Sequence, residues 1–205
     1  MKKLVFALGK EEVFSSRDYA SVFDVFRRAG FDPEAVELDW GDEQRIRTIN
    51  DQTAEFRLAA HAIEMRDSPE EMYYGGFSLG AMVGLNAAAA HRKPAGVIAC
   101  ALSPFYREDM VVPRRYHRNL LPERREAFER LSFIALAQHI TCPVELFVGS
   151  EDFESSIARA DDAAERLPDA TLTEVPGAGH VIEHPAFLEA MARRLPILSG
   201  QQSAA

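Results

Sequence analysis

The sequence predicts a three-layer α/β/α fold around a mostly parallel sheet. Strand-like and helix-like segments alternate along the chain, the pattern of parallel strands joined by right-handed helical crossovers. The run Gly96-Val97-Ile98-Ala99-Cys100-Ala101-Leu102 is apolar throughout, as a strand covered on both faces must be. And Gly76-Phe77-Ser78-Leu79-Gly80 joins an aromatic strand-like run to an alanine-rich helical run through one serine.

Taken in order, residues 3–8 read as the first strand. Residues 19–29 come next as a helix with Tyr19, Val22, Phe23 and Phe26 on its apolar side. Residues 31–38 suit a second strand ending at Asp39-Trp40, where Trp40 is expected to pack. Residues 48–66 carry a long helical pattern with Phe56, Leu58, Ala59, Ile63 and Met65 on one side. Glu71-Met72-Tyr73-Tyr74-Gly75 is short and aromatic, suited to a buried strand. Residues 79–92 are rich in alanine and leucine, with Leu79, Met82, Val83 and Leu85 at apolar positions, and stop before Pro94. Beyond the strand at 96–102 come a strand at 143–149, a helix at 157–167, a short strand at 171–175 and a closing helix at 185–198. No internal repeat is present. One domain over 1–198 is expected, with a disordered tail at 199–205.

The stretch 104–131 breaks this rhythm. It is too long for a bare connection and reads as a surface excursion or lid, with a helical stretch from Pro122 to Leu131. From Pro104 to Arg130 it holds seven arginines against five acids, in a chain of net charge -9.

That net charge argues against nucleic acid as a partner, because phosphate binding needs a basic face. Apolar residues at 47% and charged residues at 27% fit a globular protein rather than a disordered one. No apolar run approaches the roughly 20 residues of a membrane span, so no membrane partner is expected. The first nine residues superficially resemble a secretory signal, but their apolar core is short and Lys10-Glu11-Glu12 brings charge at once. Cys100 and Cys142 sit in or beside apolar segments, as buried thiols of a cytoplasmic protein would.

The pentapeptide at Ser78 arises by accident in roughly one 200-residue chain in fifteen, so its meaning depends on its surroundings. A strand that turns into a helix through one serine strains the backbone there. Side chains two positions away would then strike neighbouring backbone, which accounts for Gly76 and Gly80. A serine hydroxyl is a weak nucleophile until a base takes its proton, and that base needs a carboxylate to orient it. Of the six histidines, His180 lies in the small-residue loop Pro176-Gly177-Ala178-Gly179-His180 after the last strand. Gly149-Ser150-Glu151-Asp152 comes directly after another strand and aims Asp152 at the same sheet edge, with Glu151 or Asp109 as the alternative acid.

These motifs, in the order serine, acid, histidine, resemble the α/β-hydrolase fold over nearly the whole chain. Glu183-His184-Pro185, which opens the last helix, is also similar to the segment just past the histidine in many members. The resemblance implies a reduced sheet of six strands, because the chain begins at the strand that family members reach third. It implies a Ser78–Asp152–His180 triad and oxyanion donors at the backbone N–H groups of Leu79 and Lys10, with Glu11 as a substitute for Lys10.

The activity expected is hydrolysis of small carboxylic esters or thioesters through an acyl-enzyme on Ser78, with a small-molecule acyl ester or thioester as partner and no cofactor. Phe105, Tyr106 and Tyr116 are expected to supply apolar walls. Arg114 and Arg115, with Arg107 and Arg118, are expected either to hold an anionic substrate group or to form a solvated lid face. Peptidase and carbon–carbon hydrolase branches share the triad. A dehalogenase uses a carboxylate at the elbow, so that branch is disfavoured. A catalytically silent binding protein on the same fold is the alternative of a different class. A nucleotide-binding protein lacks its Gly-rich loop here, and Gly9-Lys10 lacks the rest of a phosphate loop. His180 and His184 share a four-residue spacing, but no carboxylate cluster completes a metal site.

Overall fold

The three central strands are buried along their whole length, and helices on either side make the sheet of this chain a double-sided core. The computed structural model describes residues 2–9, 19–36, 71–91, 93–111 and 122–200. Six strands, β1 (Lys2–Ala7), β2 (Phe31–Val36), β3 (Met72–Phe77), β4 (Gly96–Cys100), β5 (Val144–Gly149) and β6 (Ala170–Val175), form one sheet in the order β2-β1-β3-β4-β5-β6. Every neighbouring pair is parallel. The helices are α1 (Ala20–Arg28), α2 (Leu79–Ala90), α3 (Arg107–Met110), α4 (Pro122–Glu129), α5 (Phe133–Ala137), α6 (Glu154–Arg166) and α7 (Pro185–Leu198).

Strand alternation divides the core in two. Leu4, Phe6, Tyr73, Phe77, Ile98 and Phe147 pack with α1 and α7, whereas Val5, Ala7, Met72, Tyr74, Val97 and Leu146 pack with α2, α5 and α6. Glu145 points to the α7 side, where the Arg194 guanidinium grips it at 2.7 and 3.1 Å. Such pairing makes a carboxylate tolerable in a buried strand.

Helix α2 differs from its sequence pattern. The sequence marks Leu79, Met82, Val83 and Leu85 as its apolar positions, yet nine of its residues are buried, from Leu79 through Leu85 without a break and then Ala87 and Ala88. Enclosure of this kind demands a helix apolar all round, and its alanines and glycines let it lie close to β1 and β3. Helix α6 begins at Glu154, before the predicted 157, because Ser155 and Ser156 face inward and are buried. The predicted helix at 48–66 and Trp40 lie outside the described residues.

The chain moves from β1 outward to β2 and then back past β1 to β3. Helix α1, which leaves β1, and helix α2, which leaves β3, lie on opposite faces of the sheet, the arrangement that opens a crevice at the C-terminal ends of two such neighbouring strands. Ser78 stands at that crevice, directly after β3.

The excursion after β4 is tied at its base. Arg107 N–H donates to the Leu131 carbonyl at 2.6 Å. Glu108 accepts from the Ser132 hydroxyl at 2.5 Å and the Phe133 N–H at 2.9 Å. Arg159 and Asp109, whose side chains are 4% and 7% exposed, form a buried ion pair at 2.6 Å. The Arg159 guanidinium also lies over the Phe133 ring at 4.8 Å.

Candidate active site

Ser78 is held in a conformation that its residue type disfavours. Its φ of 57° falls in the left-handed region, which costs a non-glycine residue on the order of 1–3 kcal/mol and persists only where the surroundings enforce it. Here the Ser78 N–H donates to the Cys100 carbonyl at 2.9 Å, and the Ser78 carbonyl accepts from Ala81 N–H at 3.0 Å. Gly76 and Gly80 meet back to back beneath the turn: a Cβ on Gly76 would lie 2.2 Å from the Gly80 carbonyl, and one on Gly80 2.2 Å from the Ala7 oxygen. The turn thus lifts Ser78, half-buried, above the sheet edge.

The loops after β5 and β6 are bound to each other. Ser150 N–H donates to the Val175 carbonyl at 3.0 Å and Glu151 N–H to the Ala178 carbonyl at 2.9 Å. Gly177 N–H donates to the Ser150 hydroxyl at 2.9 Å. Gly149 permits this approach, since a Cβ there would lie 2.1 Å from the Ala178 oxygen. Asp152 and His180 are therefore carried on one rigid unit.

Within it, His180 Nδ1 lies 2.8 Å from Asp152 Oδ1, and His180 Nε2 lies 3.0 Å from Ser78 Oγ. A carboxylate only accepts, so Nδ1 carries the proton and Nε2 is left to accept from Ser78. Asp152 Oδ1 also accepts from Phe153 N–H at 2.6 Å. Oδ2 is buried without a partner among the described residues, so Oδ1 carries the whole of the interaction with the imidazole. The imidazole sits between two phenyl rings: Phe77, buried, at 4.8 Å and Phe153, 65% exposed, at 5.1 Å between centroids. Ser103, beyond the end of β4, puts its hydroxyl 3.1 Å from Ser78 Oγ.

Comparison with solved structures gives the same architecture. Est1E from Butyrivibrio proteoclasticus is similar over 100% of this chain and 89% of its own, at 15% identity and a TM-score of 0.76. A dienelactone hydrolase from Anabaena variabilis aligns with 98% of this chain and 86% of its own, at 20% identity and a TM-score of 0.65. A Pyrococcus furiosus esterase aligns with 98% of this chain and 81% of its own, at 16% identity and a TM-score of 0.67. The chain has the α/β-hydrolase fold. No protein-family model and no curated protein sequence matches it.

Within this α/β-hydrolase fold, Ser78, Asp152 and His180 come together although 102 residues separate the serine from the histidine. Leu79 is the first residue of α2, so its N–H is among those a helix leaves without an intrahelical partner. Lys10, Glu11, Arg114, Arg115, Tyr116 and Arg118 lie outside the described residues. Phe105 is partly buried and stacks on Phe128 at 4.8 Å. Tyr106 is not a cleft wall: it is fully buried, with its ring edge-on to Phe133 at 5.1 Å. Its place is in the interior because the Asp109–Arg159 pair draws the start of the excursion down onto α6, and Asp109 Oδ2 accepts the Tyr106 N–H at 3.2 Å. That engagement also removes Asp109 as a partner for His180. Glu151 is exposed.

His184 does not share a ligand set with His180. It caps α7, its Nδ1 accepting from Ala186 N–H at 3.3 Å. Among the described residues no group of three His, Cys, Asp or Glu side chains is arranged to hold a metal, and no helix is long and apolar enough to cross a membrane. Both cysteines are buried free thiols. Burial pushes the Cys142 thiol up to about 11 and the Cys100 thiol higher still.

Sequence reasoning missed Ser103, Phe77 and Phe153. The signal for Ser103 was its position just beyond a strand that neighbours the elbow strand. For Phe153 it was an aromatic side chain immediately after the expected acid.

Proposed function

We propose that this chain is a serine hydrolase of small carboxylic esters or thioesters. The observation that carries the reading is the unbroken hydrogen-bond chain from Asp152 through His180 to a serine in a strained strand-to-helix turn. That constellation is the chemistry of acyl transfer.

Ser78 Oγ attacks the acyl carbon as its proton passes to His180 Nε2. The tetrahedral intermediate collapses when His180 gives that proton to the departing oxygen or sulfur, leaving the acyl group on Ser78. A water then transfers a proton to His180 and bonds to the acyl carbon through its oxygen. The second intermediate expels Ser78 Oγ, which recovers its proton from His180. Asp152 keeps the imidazole proton on Nδ1 and steadies the imidazolium formed in each half. Leu79 N–H donates to the oxyanion, with the second donor assigned to Lys10 or Glu11.

The similarity to Est1E with ferulic acid bound, over 100% of this chain at 14% identity and a TM-score of 0.78, supports a small-molecule acyl substrate. The test is treatment with a fluorophosphonate and then peptide mass mapping, beside a panel of nitrophenyl esters of graded chain length and acyl-CoA thioesters. Labelling at Ser78 alone, turnover that favours short acyl groups and no turnover by Ser78→Ala are expected. Folded protein that takes no label and turns over no ester would instead be a binding protein on this fold.

A further inference from the structure

Ser103 has a hydrogen-bonding problem with one solution. The residue is 3% exposed, and its hydroxyl meets Ser78 Oγ at 3.1 Å, with no other hydrogen-bond partner among the described residues. Ser78 has a single hydroxyl proton. With Nδ1–H of His180 directed at Asp152, Nε2 needs a donor, and Ser78 lies 3.0 Å away. The Ser78 proton is thereby committed to His180, so in the contact between the two serines Ser103 donates and Ser78 Oγ accepts.

We propose that Ser103 is a further catalytic residue, a hydroxyl donor that stabilises negative charge on the nucleophile oxygen itself. The proposal rests on the acyl-enzyme reading above. It concerns a different atom from the one served by the oxyanion donors, which act on the former carbonyl oxygen. When His180 draws the proton from Ser78, charge builds on Oγ before its bond to the acyl carbon is complete, and the Ser103 O–H is already aimed at it. In the second half-reaction Oγ is the leaving group, and charge builds on it again as the acyl bond breaks. One fixed donor serves both steps, and no proton leaves Ser103 in either.

The backbone is arranged to hold that donor. Ala101, two residues before Ser103, has a φ of 49°, a left-handed conformation that an alanine adopts only under constraint. Its N–H is pinned to the Phe147 carbonyl at 2.7 Å, and the carbonyl of Cys100 just before it accepts the Ser78 N–H at 2.9 Å. The residue before the bend thus binds the elbow backbone, and Ser103 beyond it binds the elbow side chain.

The test is burst kinetics with nitrophenyl acetate and nitrophenyl butyrate on the wild type, Ser103→Ala and Ser103→Cys, which resolves acylation from deacylation, with thermal midpoints measured in parallel. Both variants are expected to slow both steps by about tenfold to a hundredfold, the size of a lost donor to a developing charge. The factor is expected to be the same for the two acyl groups, because the affected atom belongs to the enzyme. Ser103→Cys serves if the alanine variant is too unstable to assay, since a thiol is a weak donor of similar shape. Wild-type rates in the assayable variants, or a loss confined to one acyl group, would overturn the assignment. A wild type that shows neither burst nor Ser78 labelling would overturn the acyl-enzyme reading and Ser103 with it, whereas a bursting wild type matched by its variants removes Ser103 alone.

Discussion

Replacing Gly80 with alanine tests whether the spacing of the elbow against β1 sets the reactivity of Ser78. An added Cβ would sit 2.2 Å from the Ala7 carbonyl oxygen and 2.7 Å from the Leu8 carbonyl oxygen, both backbone atoms at the end of a paired strand. Contacts of a real Cβ essentially never fall below 3.0 Å. Helix α2 must therefore withdraw from β1 by about 1 Å, carrying Ser78 and the Leu79 N–H with it, and a misplacement of that size costs on the order of 100-fold in rate. The stability cost is smaller. Overpacking costs about 1–3 kcal/mol, offset by about 1 kcal/mol of improved helix propensity. Urea unfolding and ester turnover measured together should show a folded protein, destabilised by at most about 2 kcal/mol, with activity down about a hundredfold. Wild-type turnover by Gly80→Ala would refute the reasoning, because it would mean that the approach of α2 to β1 does not position the nucleophile.

Three further outcomes are expected. Asp109→Ala strips the buried Arg159 of one partner and leaves it Asp162 at 2.7 Å, so urea unfolding should show a loss of about 3 kcal/mol; a loss under about 1 kcal/mol would mean the pair does not anchor the excursion. Burial alone would raise the Glu108 carboxyl, but hydrogen bonds from the Ser132 hydroxyl and the Phe133 and Ile134 N–H groups hold it below its ordinary 4.5. The unfolded chain then takes up that proton first, so the stabilisation is full above about pH 4.5 and lost as pH falls through the lower folded value; unfolding midpoints across that window should fall less steeply in Glu108→Gln than in the wild type. If Arg114 and Arg115 hold an anionic substrate group, carboxylate-bearing esters should be turned over faster than matched neutral ones, and added salt or Arg114→Ala and Arg115→Ala should erase the difference; unchanged rates would make these arginines a solvated lid face.

The parts of this molecule legible in its sequence are those governed by local rules. Five of the six strands declare themselves through β-branched or aromatic residues, β2 with Pro33 and two acids being the exception, and α7 runs over the predicted residues 185–198 because Pro185 marks its first turn. The elbow was legible because its geometry demands glycine at 76 and 80. Burial of particular side chains was less so. Tyr106 reads as an aromatic on a surface excursion, and only Arg159, 50 residues beyond Asp109, draws that segment into the interior. Ser155 and Ser156 read as loop, yet they are buried at the start of α6. Ser103 carried no motif, since its role depends on β4 lying beside β3, a relation of sheet order rather than of sequence spacing.

The central claim is that Ser78, His180 and Asp152 act as one unit, and the kinetics of single and double variants test it most directly. Ser78→Ala and His180→Ala should each lower kcat on an ester substrate by on the order of 10⁴-fold or more while the protein stays folded. The Ser78→Ala/His180→Ala double variant should be no slower than either, because a base without its nucleophile contributes nothing further. Losses that multiply in the double variant would show two independent contributions and contradict the account.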